Sequence, residues 1–127
     1  MTVAAIISVA LLSILVVFQA ALALGVPWGQ ASWGGGHSGT LPPGLRVASA
    51  IAGLVVYPLV ILAVLEAAAL AELDWFPEVS KAVMWGLAGL FLLGAVANLA
   101  SRSQIERLWG PVAAVLAGCC AVIALAM

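Results

Sequence analysis

Charge is what this chain has least of: four Lys and Arg and five Asp and Glu among 127 residues, 7% in all. A soluble domain of this size carries about 25%, because a small body has much surface to solvate. With 66% hydrophobic residues and a mean hydropathy of +1.29, the shortage points to hydrocarbon as the solvent. No basic tail or patch exists, which removes nucleic acid from the partners. Histidine occurs once, at His37, and no second acid–base or metal ligand is spaced to join it. The sequence therefore assigns no catalytic residue, no metal and no cofactor, and reads as non-enzymatic. The two cysteines, Cys119 and Cys120, are adjacent inside an apolar run; they make neither a CxxC pair nor a disulfide framework and read as small packing residues.

What is present in quantity is long apolar runs. Four are long enough to cross a bilayer at about 1.5 Å per residue: 3–26, 47–70, 82–100 and 109–127. The predicted fold class is all-α, a four-span transmembrane antiparallel helix bundle forming a single domain over 1–127, because short connections place sequential helices side by side. Gly25 and Pro27 close the first span and Pro111 opens the fourth. Pro58, inside the second, removes a backbone hydrogen bond and predicts a kink near the bilayer middle. Ala21-Leu22-Ala23 looks like a signal-peptidase site, but "MT" supplies no basic n-region, so the first span reads as retained.

An even number of spans puts both termini and the 71–81 connection on one side, where Lys81 is the only basic side chain against Glu66, Glu72, Asp74 and Glu78. Arg46, Arg102 and Arg107 fall on the other. The positive-inside rule then places loops 27–46 and 101–109 in the cytoplasm and the termini outside.

The polar residues gather on the arginine side. Trp28, Trp33 and Trp109 fall at span ends, where indoles settle at headgroup level. The glycines of the 27–46 loop allow it to fold back over the bundle with N–H groups turned toward an anion. Gly34 to Gly39 matches GxGxxG by chance, lacking the strand before and the helix after that the fingerprint requires. Gly94, Asn98 and Arg102 recur every four residues and form one polar column if the third helix persists, with Ser101 beside it. Glu106 is spaced to pair locally with Arg102. A ligand-binding set of Gln19, Trp28, Trp33, His37, Asn98, Ser101 and Arg102 follows as the expectation at this mouth; interhelical hydrogen bonding is the competing use of the same residues. Glu66 is the one acid inside an apolar run, so it is the candidate proton or cation site. Small residues crowd the last three spans and favour close helix packing within a bundle or across a homodimer.

The stretches "PWGQASWGGGHSG" and "NLASRSQIERLWGP", read as PWGxxxWGG and NxxSxSxxERxWGP, resemble an uncharacterised family of small bacterial four-helix integral membrane proteins. The resemblance implies a bacterial cytoplasmic (inner) membrane and carries over no activity. Small multidrug-resistance exporters are similar in size and helix number, but they place a glutamate in the first span, which here holds no acid. Two functional expectations result. One is a bundle that binds a small amphipathic ligand, membrane lipid or another membrane protein at its Trp- and Arg-rich mouth. The alternative is a small proton-coupled transporter, working as a homodimer through Glu66.

Overall fold

A computed structural model describes residues 1–127 and shows an all-helical chain without strands. Its four long helices are α1 (Thr2–Ala23), α2 (Pro43–Ala67), α3 (Lys81–Leu99) and α4 (Gln104–Ala126), each long and apolar enough to cross a membrane. The chain is a multi-pass membrane protein on those grounds. Its outer surface agrees: Val17, Leu93 and Leu125 each lie more than two-thirds exposed, which suits lipid.

Local chemistry sets the helix ends. Gly25, at φ +99, follows α1; its N–H bonds to Leu22 O at 3.1 Å and that of Val26 to Ala21 O at 3.0 Å. This paired closure needs a left-handed residue between. Ser80 caps α3, its hydroxyl accepting from Val83 N at 3.3 Å, and Ser103 caps α4, accepting from Glu106 N at 3.3 Å.

Two helix starts differ from the sequence expectation. α2 begins at Pro43 rather than 47, because proline suits a first turn. α4 carries an added first turn, Gln104–Arg107, ahead of the long run Trp109–Ala126 that starts where the sequence expects it, because Ser103 supplies a cap that polar residues obscure in a hydropathy reading.

At Pro58 the helix responds by widening. Residues Ala52–Val56 form a π-helical turn, in which Tyr57 N donates to Ala52 O, five residues back. Pro58 has no N–H to offer, and the one-residue slip absorbs that loss within the second span.

α1 packs against α2 and α4, and α3 packs most extensively against α4. At the first seam Gly53 is the point of closest approach. A Cβ there would lie 2.9 Å from Gln19 Cβ and 3.2 Å from Ala20 N and Val16 O, so only glycine fits. The fully packed core lies toward the end that carries both termini. There Ala4, Ala5, Leu12, Ala63, Met84, Cys120 and Ile123 are buried together. Both cysteines are free and buried within it. α2 and α3 do not close against each other along their length, and the other half of the bundle is hollow.

Candidate functional site

The hollow is a half-open cleft of about 400 Å³. Its walls come from all four helices and from the 27–46 loop, and fifteen of its twenty lining residues are hydrophobic. Leu15 and Phe18 of α1, Val56, Tyr57 and Val60 of α2, Leu87 and Phe91 of α3 and Trp109 and Leu116 of α4 supply most of the apolar surface. The π turn of α2 lies in this wall through Ala52 and Val56.

The loop is folded rather than slack, and it roofs the cleft with Ala31, Ser32 and Trp33. Two short 3₁₀ turns, Gly29–Ala31 and Trp33–Gly35, shape it. Gly29 N bonds to Gly39 O at 2.8 Å, Thr40 Oγ1 donates to Gly25 O at 3.0 Å, and Arg46 Nε donates to Ala23 O at 3.0 Å. Both indoles at the roof are anchored by their N–H groups: Trp33 to Ser49 Oγ at 2.9 Å and Trp109 to Ala31 O at 3.0 Å. Each bond is partly shielded from solvent, and pairing the N–H there avoids the cost of leaving it unmet. Gly35, at φ +71, sits so close to Ser103 that a side chain would collide with its Cβ.

One carboxylate ties the roof to the helices. Glu106 is buried, 8% exposed; Oε1 accepts from Gly34 N at 3.2 Å and Oε2 from Ser101 Oγ at 2.8 Å. The loop does turn a backbone N–H toward an anion, and the anion is the chain's own. Glu106 is also the only charged residue lining the cleft. The expected pairing with Arg102 does not form, because both carboxylate oxygens are engaged elsewhere and Arg102 is exposed.

Of the seven residues expected at this mouth, Gln19, Trp33 and Asn98 line the cleft. Ser101 stands behind it, joined through Glu106. Trp28 lines a neighbouring recess with Phe18 and Ile105, its ring stacked on Phe18 at 6.3 Å between centroids. His37 and Arg102 are exposed and line neither cavity. Arg102 leaves the column of Gly94 and Asn98 because α3 stops at Leu99, so the four-residue periodicity has no helix to carry it further. Arg107 holds that helix end, Nε donating to Ser101 O at 2.8 Å.

Sequence reasoning missed the role of Glu106, although a signal was there. Ser103-Gln104-Ile105-Glu106 has the S-x-x-E spacing of a capping box. Only half of the box forms: Ser103 Oγ accepts from Glu106 N, while the carboxylate turns to the loop instead of back to its own cap.

Glu66 lies at the opposite end. Its Oε2 accepts from Val79 N at 2.8 Å and so fastens the connection between α2 and α3; it does not line the cleft. No trio of His, Cys, Asp and Glu side chains converges to hold a metal ion. Compared with protein-family models, curated proteins and solved structures, the chain matches none.

Proposed function

We propose that this protein binds a small amphipathic ligand in the cleft at its tryptophan-rich mouth, as a non-enzymatic bundle of a bacterial inner membrane. The supporting observation is the composition of one cavity: apolar walls from four helices, with Gln19, Ser32, Asn98, Glu106 and the Tyr57 hydroxyl as the polar groups among them. A volume near 400 Å³ falls within the range of small-molecule sites, which are largely apolar with a few placed polar groups. The open seam between α2 and α3 gives a hydrocarbon tail a way in from the bilayer.

The membrane assignment and the orientation draw on the family resemblance and on the basic residues. Arg46, Arg102 and Arg107 support a cytoplasmic position for the roofed mouth. The rival reading, proton-coupled transport through Glu66, finds less support, since that carboxylate already accepts a backbone N–H away from the cleft.

Native mass spectrometry of the protein released from mild detergent tests the ligand reading. A co-purifying mass adduct is expected on the unmodified chain and its loss on Asn98→Leu. A chain that carries no adduct, and gains none when incubated with total membrane lipid extract, contradicts the proposal.

A further inference from the structure

The cleft has a sign, and it is the opposite of what three nearby arginines suggest. Arg46 donates to Ala23 O and Arg107 to Ser101 O, Arg102 is exposed, and none of the three lines the cavity. Glu106 alone brings charge to it. Its partners are neutral, one backbone N–H and one hydroxyl, so this buried carboxyl group has no cationic side chain beside it. A carboxylate has about four lone-pair sites, and two are used.

A second group points the same way. Gln19 lines the cleft, and its Oε1 is buried with no hydrogen-bond partner. Buried acceptors are seldom left unmet, and one that is calls for an explanation. The two indole N–H groups at the roof are already spent on Ser49 and Ala31. An incoming anion would face the Glu106 carboxylate, and the neutral donors left to it are the amides of Gln19 and Asn98 and the Tyr57 hydroxyl, none of which carries a positive charge. An incoming cation with N–H groups would meet the open lone pairs of Glu106, and the carbonyl oxygen of Gln19 in the wall adds to the same sign of potential. Phe18, Trp33, Tyr57, Phe91 and Trp109 surround the space with aromatic rings, whose faces attract cations most where water is excluded.

We infer that the cleft selects an amphiphile whose head is a protonated amine, its ammonium group donating to Glu106 and its hydrocarbon tail lying between α2 and α3. This rests on the ligand reading of the preceding subsection and fixes the chemistry of that ligand. The same ammonium chemistry is offered by a free lipophilic amine and by the headgroup of phosphatidylethanolamine.

The test uses the full chain in uncharged maltoside micelles and three probes of equal tail length: n-decylammonium, n-decanol and n-decyl sulfate. Native mass spectrometry reads how much of each is bound. The ammonium is expected to exceed both others by about tenfold, the scale of one desolvated charge contact. Glu106→Gln should cut that preference to roughly twofold while decanol binding persists, since only the charge is lost. Adding phosphatidylethanolamine separates the sources: displacement of decylammonium assigns the bilayer lipid, and undiminished binding assigns a free amine. Equal binding of the three probes, or preference for the sulfate, overturns the ammonium assignment and leaves the ligand reading standing. Failure of every probe to bind removes both. Should Glu106→Gln disturb the roof, the probe series on the unmodified chain decides alone.

Discussion

The two ends of this bundle are both largely apolar, yet they differ in side-chain size and pack in opposite ways. At the terminal end Ala4, Ala5, Ala63, Ala88, Cys119 and Cys120 let the helices meet, and Leu12, Met84 and Ile123 fill what remains with less than 2% exposure. At the loop end the side chains facing inward are Phe18, Tyr57, Phe91 and Trp109, and they stand around a space instead of filling it. Large rings hold backbones apart, and a π turn in α2 falls at the same level. Each end also spends one glutamate on a backbone N–H: Glu66 on Val79 and Glu106 on Gly34. The first fastens a connection beside a packed core, the second a roof over a cavity. Packing without voids stabilises, and an open, incompletely satisfied site is what binding requires.

Removing volume should separate the ends most sharply. Ile123→Ala, in the closed core, is expected to cost about 2–3 kcal/mol, the lower part of the range for buried aliphatic truncation, because lipid already solvates apolar groups and the lost packing dominates. Leu90→Ala, exposed beside the cleft, should change stability by less than about 0.5 kcal/mol. Denaturation by sodium dodecyl sulfate from mixed micelles measures both, and equal losses would erase the distinction between the ends.

Next in size is the roof. Glu106→Leu leaves Gly34 N–H and Ser101 O–H without their acceptor and is expected to cost about 1–3 kcal/mol. Because the contact is local, the loss should show first as proteolysis within residues 27–46, with the terminal end still protected. Uniform loss of protection along the chain would mean that the two ends unfold as one. Gly53→Ala acts at the seam that both ends share. Its new methyl would press on Gln19 and the α1 backbone, costing about 1–3 kcal/mol by overpacking, and ligand binding should fall along with stability.

A smaller effect of opposite sign belongs to the terminal end. Ala69 follows α2 at φ +53, a left-handed conformation that an L side chain adopts at a cost. Ala69→Gly should raise stability by about 1 kcal/mol in the same detergent assay. A decrease would mean that the methyl contributes more by packing than it costs by strain. Smallest of all, Arg102→Ala and His37→Ala should stay within about 0.5 kcal/mol and leave ligand retention unchanged, as befits exposed side chains outside the cleft.

Three of the seven residues expected at the mouth line the cleft. Gln19, Trp33 and Asn98 could be grouped because span ends and helical periodicity place them at one level. Periodicity fails where a helix stops, which is why Arg102 was counted among them and lies outside. Glu106 was legible only as half of a local pattern. Its true partner, Gly34, is 72 residues away, and no local spacing rule reaches that far.

The sequence by itself determined the class of solvent, the number of long apolar helices and the closure of the first at Gly25, since each follows from local quantities: hydropathy summed over a window, a missing N–H, a glycine that accepts positive φ. Which end is dense, which is hollow, and that the hollow holds a buried glutamate were decided only in three dimensions. Voids and buried charges depend on which side chains arrive at the same place from distant parts of the chain, and in lipid, where hydrocarbon surrounds every helix alike, packing rather than hydropathy settles that meeting.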